Sequence, residues 1–350
     1  MNLKKKVYVG MSGGVDSSVS AYLLKEAGYD VTGVFIKVWQ PNYIECTWKE
    51  DRLDAMRVAA TLEIPFLTLD LEKEYKEGVI DYMIEEYRRG RTPNPDVCCN
   101  REVKFGAFWK WAKENNADYI ATGHYAVTDN KHLLLSQDEE KDQTYFLWKL
   151  TEDDLAHVLF PIEQLHKSEV RKIATKAHLP VATKKDSQGL CFIGTIDIKE
   201  FLKTEIKEKI GDVLNEQGKV IGTHEGVMFY TIGERHGFTI TTEGISSKAS
   251  FIIAKNIEKN TLTVSHHKPE IAIGDEFFVE MVSFVNKSFS DKKECLARGR
   301  YRAPLAEIRL EKVSEIKYKV TKLSGELVPT SGQSLVFYDN EKCLGGGVIV

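Results

Sequence analysis

The chain has 350 residues, which is more than one hydrophobic core usually supports, so we expect two or three domains. The composition is 42% hydrophobic and 29% charged, which excludes a disordered protein, and no apolar run approaches the roughly 18 residues needed to cross a bilayer. The net charge of −4 excludes a global basic field, so nucleic-acid binding must come from local clusters of Lys and Arg.

The first half of the chain alternates between strand and helix patterns. A buried strand at 6–11 precedes a helix at 17–27, in which Val19, Tyr22 and Leu23 recur at helical spacing. Such an alternation predicts an α/β fold with a parallel sheet. The later elements are predicted in the order strand 31–36, helix 53–60, strand 66–69, helix 75–87, helix 105–112 and strand 119–122.

Two later stretches have a different texture. Residues 90–100 contain two prolines and two asparagines and predict a shaped, exposed loop of the kind that displays reactive groups. After about residue 202, short β-type runs such as 251–254 predict two smaller β-rich modules. We therefore predict a first domain at 1–202, a central β-rich domain at 203–270 and a C-terminal domain at 271–350.

A glycine- and serine-rich loop lies between the first strand and the first helix. Backbone N–H groups and the helix dipole form an anion site at such a position, and Gly13 and Gly14 let the backbone approach a ligand closely. A Walker A loop ends in Gly-Lys-Ser/Thr, which this loop lacks. The alternative is a simple glycine turn capped by Ser17. The loop consists of Gly10, Met11, Ser12, Gly13, Gly14, Val15, Asp16, Ser17 and Ser18.

Six cysteines are too sparse over this length for a disulfide scaffold. We predict a cytoplasmic protein with no membrane partner, in which thiols are usually buried, metal-bound or reactive. Cys98 and Cys99 precede a helical run, where the positive end of the helix favours a thiolate, and their spacing does not suit zinc. Cys191 follows two lysines closely. Ordinary buried roles are predicted for Cys46, Cys295 and Cys343.

The loop and the cysteine segments together resemble those of one enzyme family. Residues 10–18 closely resemble the SGGxDS signature of the PP-loop ATP pyrophosphatases, which cleave ATP between the α- and β-phosphates and leave AMP on an acceptor. Residues 92–100 and 184–192 look like segments of the tRNA-specific 2-thiouridylases of the MnmA type. The resemblance implies a PP-loop domain of the adenine nucleotide alpha hydrolase-like kind, followed by two smaller β-rich domains, the last a β-barrel. It also includes residues 121–125, 141–143, 300–302, 331–333 and 343–347.

The resemblance implies that ATP and Mg²⁺ bind at the loop. Asp16 matches the residue that helps to hold Mg²⁺ on the departing pyrophosphate. Ile36 and Gly123 match positions beside the adenosine, and both lie at the ends of predicted strands, where parallel sheets bind ligands. Relatives often carry methionine at this position. Ile36 therefore keeps only an apolar contact with adenine. The other implied ATP contacts are Gly10, Met11, Ser12, Gly13, Gly14, Val15 and Ser17.

The resemblance also implies a reaction, the 2-thiolation of uridine 34, the wobble uridine of tRNA. ATP adenylates O2 of the uracil, because an oxygen that carries AMP leaves easily. A persulfide on Cys191 delivers sulfur to C2, and AMP leaves. Cys99 matches the nucleophile that resolves the donor, directly or after hydrosulfide is released, which leaves a disulfide between Cys99 and Cys191. Asp96 is the candidate acid/base. Relatives commonly lack a thiol at Cys98, and Cys99 is favoured by its register with Asn100.

The implied partners are tRNA, with Lys, Glu and Gln acceptors, and an upstream sulfur carrier or cysteine desulfurase. The matching positions combine cations for phosphate, a tyrosine for stacking, and amides for base or ribose edges. Segment 230–237 departs from the family pattern, because Glu234 replaces an amide and His236 replaces a lysine. The predicted tRNA contacts are Asn94, Pro95, Asp96, His124, Lys141, Asp142, Gln143, Arg300, Tyr301 and Gln333.

Three alternative functions remain open from the sequence. Another PP-loop tRNA enzyme, such as a lysidine or 4-thiouridine enzyme, would carry the same loop. An amide-forming PP-loop synthetase needs ammonia from a glutaminase and no cysteine pair. A non-catalytic tRNA-binding protein with a vestigial loop would not need Cys191 or Asp16, and both are present.

Overall fold

A computed structural model describes residues 4–41, 48–185, 197–241, 249–286 and 292–350. Cys46 and Cys191 therefore lie outside the described residues. Within the described ranges no helix is both long enough and apolar enough to span a membrane.

The described residues form eighteen strands and nine α-helices. In chain order the strands are β1 (Lys6–Gly10), β2 (Asp30–Lys37), β3 (Phe66–Asp70), β4 (Tyr119–Ala121), β5 (Val127–Thr128), β6 (Leu133–Leu134), β7 (Val158–Leu159), β8 (Gly211–Leu214), β9 (Val220–His224), β10 (Thr239–Ile240), β11 (Phe251–Asn256), β12 (Thr261–Ser265), β13 (Glu276–Phe284), β14 (Lys292–Arg298), β15 (Ala306–Ser314), β16 (Lys317–Ser324), β17 (Ser334–Asp339) and β18 (Lys342–Ile349). The α-helices are α1 (Val15–Glu26), α2 (Trp48–Thr61), α3 (Glu72–Tyr75), α4 (Tyr82–Arg88), α5 (Pro95–Cys98), α6 (Phe108–Glu114), α7 (Glu152–Leu155), α8 (Lys167–Lys176) and α9 (Ile198–Glu205). The π-helical segments Lys76–Asp81 and Cys99–Ala107 join α3 to α4 and α5 to α6, and 3₁₀ turns occur at Thr144–Phe146 and Val227–Phe229.

The first part of the chain is built on a parallel sheet with the strand order β3-β2-β1-β4-β7. β1 lies at its centre because its side chains are buried on both faces: Val7 and Val9 are fully buried and Tyr8 nearly so. The chain passes from β1 through α1 to β2 on one side, and β4 pairs with β1 on the other side. The predicted parallel sheet is confirmed, and the carboxyl ends of β1, β2 and β4 meet at the edge where such sheets bind ligands.

The region around the adjacent cysteines differs from the sequence prediction. A continuous helix runs from α5 through the π segment into α6, so residues 95–100 are helical rather than part of an exposed loop. Pro95 occupies the first helical turn, where proline needs no N–H donor and its ring fixes a helical φ. Cys98, Cys99 and Asn100 are all buried. The prediction of an exposed loop is therefore wrong for the second half of 90–100.

Two β-rich parts follow the parallel sheet. Strands β8 to β12 form one sheet, in the order β10-β9-β8-β12-β11. Strands β13 to β18 form a barrel in the order β13-β16-β15-β14-β17-β18, which closes because β13 also pairs with β18. The predicted fold class is confirmed, whereas the domain borders near 202 and 270 stay predictions. The sequence analysis missed the β5–β6 hairpin, which pairs with β18 and so extends the barrel sheet.

Candidate functional site

The glycine- and serine-rich loop connects β1 to α1, and within the described ranges no side chain caps the start of this helix. Ser12 N donates to Ser17 Oγ at 3.2 Å, and Ser17 Oγ donates to the carbonyl of Gly14 at 3.3 Å. Gly13 has a φ of 75°, and a Cβ added there would lie 2.3 Å from the backbone oxygen of Asp51 in α2, so only glycine fits. The serines therefore shape the loop, and the first N–H groups of α1 remain suited to an anion.

Ile36 and Gly123 lie on opposite sides of β1, near the ends of β2 and β4. Ile36 is buried in the core beside the sheet. Gly123 follows β4, and a Cβ added to it would lie 2.6 Å from the backbone nitrogen of Ser17. The absence of a side chain at 123 lets this strand end pack directly on the start of α1. Both predicted adenosine contacts are therefore at the edge of the sheet that carries the loop.

Two residues that the sequence analysis missed hold the carboxylate of Asp16. Lys167 Nζ lies 2.7 Å from each of its oxygens, and Tyr125 OH donates to Oδ1 at 2.9 Å. Asp138 in turn accepts a hydrogen bond from the backbone N–H of Lys167 at 2.8 Å. Lys167 is the first residue of α8, where the helix dipole disfavours a cation. A lysine at that unfavourable position is the sequence signal from which a nearby anion could have been predicted.

Lys184 anchors the chain that leads towards Cys191. Its Nζ lies 2.7 Å from Asp51 Oδ1 and 2.8 Å from Asp54 Oδ2, both in α2. Arg171 donates to the carbonyl of Lys184 at 3.0 Å. Because the backbone of Asp51 also contacts the glycine loop, this anchor lies next to the candidate phosphate site. Cys191 itself lies outside the described residues.

The two adjacent cysteines are both buried and lie where α5 meets the π segment. Cys98 ends α5, and Cys99 begins the π segment and is fully buried. Burial raises the pKa of the Cys98 thiol to about 11, an effect that the nearby charge of Lys149 only partly offsets. A thiol with such a pKa is protonated at neutral pH and is a poor nucleophile. Asp96 is half-buried in the first turn of α5.

The helix that carries Cys99 also carries side chains that contact a residue beside the nucleotide loop. Lys104 Nζ lies 3.5 Å from His124 Nε2, and the rings of Phe105 and His124 lie 5.7 Å apart. Cys99 and Lys104 are five residues apart along this helix, a rise of roughly 7 Å. Since His124 directly follows Gly123, the middle of the helix that carries Cys99 lies close to the start of α1.

Two of the predicted tRNA contacts are buried in the structure. His124 bonds to Thr122 Oγ1 at 2.8 Å, and burial together with the charge of Lys104 holds its pKa well below the ordinary value, so the imidazole is neutral. Asp142 accepts hydrogen bonds from Ser136 N at 3.1 Å and Thr144 Oγ1 at 2.8 Å, and burial raises its pKa. The structure gives these two residues internal roles.

The neighbours of Asp142 are partly exposed. Gln143 forms a reciprocal pair with Tyr125, because its N–H donates to the Tyr125 carbonyl at 2.8 Å and its Oε1 accepts from Tyr125 N at 3.0 Å. Lys141 is half-buried. The reciprocal pair ties Gln143 to the same tyrosine that holds Asp16, and so links residues 141–143 to the nucleotide loop.

Asn94 and Gln333 join the cysteine segment to the barrel. Asn94 Nδ2 donates to Gln333 Oε1 at 3.1 Å, and Asn94 Oδ1 accepts from Ser334 N. Gln333 Nε2 donates to the carbonyl of Thr92 at 2.8 Å. These two predicted tRNA contacts therefore meet each other, although 239 positions separate them in sequence. Pro95, the next predicted contact, is half-buried at the start of α5.

Arg300 and Tyr301 lie together at the end of the barrel. Arg300 donates to Thr330 Oγ1 at 2.9 Å and to the carbonyl of Ile232, which connects the barrel to the central part of the chain. The ring of Tyr301 lies 4.6 Å from that of Phe146 and is half-buried. Tyr301 therefore keeps an aromatic surface available for stacking, whereas Arg300 is engaged inside the protein.

Models of three protein families match consecutive parts of the chain. Their descriptions are tRNA methyl transferase HUP domain for residues 5–195, tRNA methyl transferase PRC-barrel domain for residues 199–266, and Aminomethyltransferase beta-barrel domain for residues 274–349. This order agrees with the parallel sheet, the second sheet and the closed barrel of the structure.

Curated relatives match nearly the whole chain. The tRNA-specific 2-thiouridylase MnmA of Bacillus subtilis (strain 168) is 46% identical over 98% of this chain and 94% of the relative. The protein of the same name from Listeria welshimeri is 44% identical with the same coverage. Among solved structures, the U34-tRNA thiolase NcsA from Methanococcus maripaludis is 20% identical, covers 59% of this chain and 68% of its own, and gives a TM-score of 0.37.

Proposed function

The chain belongs to the MnmA family of tRNA-specific 2-thiouridylases, and we propose that it is a tRNA-uridine 2-sulfurtransferase that uses ATP to thiolate uridine 34. One observation carries the proposal beyond family membership. The helix that carries the buried Cys99 contacts His124 through Lys104 and Phe105, directly beside Gly123 and the nucleotide loop. Activation of an oxygen and attack by sulfur on the neighbouring carbon require such proximity.

ATP binding is supported by the uncapped start of α1 and by Lys167, which supplies the cation that a Walker A loop would carry within itself. The carboxylate of Asp16 suits Mg²⁺, which proteins bind through one or two carboxylates together with substrate phosphates. Asp16 and the N–H groups of α1 would hold the magnesium pyrophosphate end of ATP. The bound ion would neutralise charge on the departing pyrophosphate. Lys167 and Tyr125 orient Asp16 for this role.

The sulfur chemistry is assigned to Cys191 as the persulfide carrier and Cys99 as the resolving thiol. The choice of Cys99 over the adjacent Cys98 rests on its register with Asn100 in the family pattern. Lys184 is held beside the nucleotide loop seven positions before Cys191, and seven extended residues span at most about 25 Å. That reach supports a donor thiol tethered close to the adenylated base. Asp96, one turn before Cys99, is proposed as the acid/base for the uracil.

The proposed tRNA acceptors are those for Lys, Glu and Gln, and an upstream sulfur carrier or cysteine desulfurase supplies the persulfide. Pro95, Asp96, Lys141 and Tyr301 are half-buried and keep surface for a direct contact with RNA. The other predicted contacts are proposed to shape the RNA-binding surface through their internal hydrogen bonds. They are Asn94, His124, Asp142, Gln143, Arg300 and Gln333.

The decisive experiment supplies the protein with ATP, Mg²⁺, a persulfide donor and unmodified tRNA, then digests the tRNA and identifies the nucleosides by mass. We expect 2-thiouridine at position 34. Cys191→Ser and Cys99→Ser should abolish the product, and Cys98→Ser is the matched control that should retain it. Appearance of 4-thiouridine, or full product from Cys191→Ser, would refute the assignment.

A further inference from the structure

Asn100, the residue after Cys99, contains a buried oxygen that has no hydrogen-bond partner among the described residues. The side chain is 3% exposed, and its Nδ2 donates to the carbonyl of Phe146 at 3.0 Å. Oδ1 is shielded from solvent and accepts no hydrogen bond in the part of the chain that the structure describes. A backbone carbonyl only accepts, so the Phe146 contact fixes which end of the amide is the nitrogen. The orphan atom is therefore the carbonyl oxygen and not the product of an inverted amide.

An unsatisfied oxygen of this kind is costly for the folded protein. A buried acceptor without a donor destabilises the folded state, and buried amides in native proteins nearly always find a partner. Asn260 illustrates the usual outcome, because its Nδ2 donates to Lys209 and Ile210 and its Oδ1 accepts from Val227 N at 3.1 Å. An acceptor that stays unpaired beside a candidate nucleophile is therefore available to a ligand that brings its own donor.

The position of Asn100 relates the reactive thiol to an aromatic surface. It follows Cys99 in the first turn of the π segment, and such segments occur frequently at functional sites. Its amide contacts Phe146, whose ring lies 4.6 Å from Tyr301 and 5.3 Å from Tyr145. Flat aromatic side chains of this kind stack on bases that have left their own stack.

The reacting edge of uracil offers a donor of the required kind. Its Watson–Crick edge contains the carbonyl O2, the N3–H group and the carbonyl O4, so the N–H lies next to the carbon that receives sulfur. We propose that Asn100 Oδ1 accepts a hydrogen bond from N3–H of the target base and makes the site specific for uridine. This inference rests on the proposed function and adds a specificity residue to it. Because Oδ1 is shielded from solvent, the base must leave its stack and enter to the depth of Cys99.

Cytosine is the pyrimidine that this contact rejects. Its N3 carries no hydrogen and is itself an acceptor, so it would place two lone pairs against each other and leave Oδ1 unsatisfied. The O2 of cytosine could be adenylated in the same way as that of uracil, so the two bases must be distinguished at N3. Sites that hydrogen-bond a substrate group can reject analogues without that group strongly.

The test is a competition between two tRNAs that differ only at position 34, one with uridine and one with cytidine. Both are incubated together with the full-length protein, ATP, Mg²⁺ and a persulfide donor, and 2-thiouridine and 2-thiocytidine are measured by mass. Asn100→Ala and the similarly sized Asn100→Leu remove the acceptor. We expect either variant to reduce the uridine-to-cytidine ratio at least about tenfold. Asn100→Asp keeps an acceptor in place, and its ratio should stay within about threefold of wild type.

The controls separate this inference from the proposed function. Asn260→Ala removes a buried amide whose groups are all satisfied, so it should lower the melting temperature without changing the ratio. Failure of the wild type to make any 2-thiouridine would refute the proposed function. If the wild type is active and the uridine-to-cytidine ratio is unchanged in Asn100→Ala and Asn100→Leu, only the role of Asn100 is overturned. The same holds if the ratio falls equally in Asn260→Ala. Of Asn100→Ala and Asn100→Leu, the variant with the melting temperature closer to wild type decides the test, because its fold is less disturbed.

Discussion

Replacing Lys167 with methionine removes the cation that faces Asp16 and keeps most of the apolar stem. The two side chains are 13% and 29% exposed, so their ion pair lies between exposed pairs, which contribute about 0–1 kcal/mol, and buried pairs, whose breakage costs about 3–5 kcal/mol. We expect a loss near 2 kcal/mol, which corresponds to a melting temperature lower by about 4–8 °C for a domain of this size. Because Lys167 also faces the proposed phosphate site, AMP formation should fall about 10²–10³-fold.

The assay for this prediction measures AMP and pyrophosphate release with saturating tRNA, together with equilibrium binding of a non-hydrolysable ATP analogue. Tyr125→Phe is the matched control, since it removes one hydrogen bond to Asp16 and leaves the cation. That variant should lose about 1 kcal/mol of stability and keep AMP formation within about tenfold of wild type. Normal AMP formation and analogue binding by Lys167→Met would refute the reasoning, whatever its melting temperature.

Three further predictions concern the packing and ionisation of single residues. Gly123→Ala forces a Cβ to within 2.6 Å of Ser17 N, so it should destabilise the protein by about 1–3 kcal/mol in urea unfolding and weaken ATP-analogue binding; unchanged binding would contradict the close packing. Cys98→Ser should keep single-turnover thiolation within about threefold of wild type, and a loss as large as that of Cys99→Ser would contradict the assignment. Burial lowers the pKa of Lys255 from 10.5 to about 8, so the unfolded chain binds more protons between these values. The free energy of unfolding of the wild type, measured in urea relative to that of Lys255→Met, should therefore rise by up to about 3 kcal/mol between pH 8 and 10.5. A difference between the two proteins that does not change with pH would contradict the lowered pKa.

The parallel sheet and its loop follow from local patterns in the sequence. The spacing of apolar residues and the glycines between 10 and 14 are short-range signals, and they predicted the strand, loop and helix that the structure contains. The helix at 95–100 was missed because two prolines usually interrupt regular structure, although Pro95 is tolerated in a first turn. The β5–β6 hairpin was missed because its strands have two residues each and are stabilised by pairing with β18.

The sequence pointed to the parts of the candidate site that match short family segments, including Asn94 and Gln333, which lie far apart in the chain. Asp16 was proposed from its loop, whereas Lys167 lies 151 positions away and its contact with Asp16 depends on how α8 packs. His124 and Asp142 were predicted as tRNA contacts because they match family positions, and tertiary packing buries both side chains. The Asn100 oxygen that lacks a donor among the described residues has no sequence signal, because its surroundings depend on how the chain packs around the side chain.

The acid at Glu234, one of the two departures of segment 230–237 from the family pattern, has an explanation inside the protein. Lys255 Nζ donates to the carbonyl of Gly90 at 3.1 Å and to that of Tyr230, so it holds the chain just before the cysteine segment. Glu234 accepts a hydrogen bond from Thr231 N at 2.9 Å, and its charge favours the protonated form of the buried lysine. A neutral amide at 234 would leave that cation without this compensation. The acid therefore stabilises the contact between the central sheet and the segment that leads to Cys99, and so links the β-rich part of the chain to the proposed reactive site.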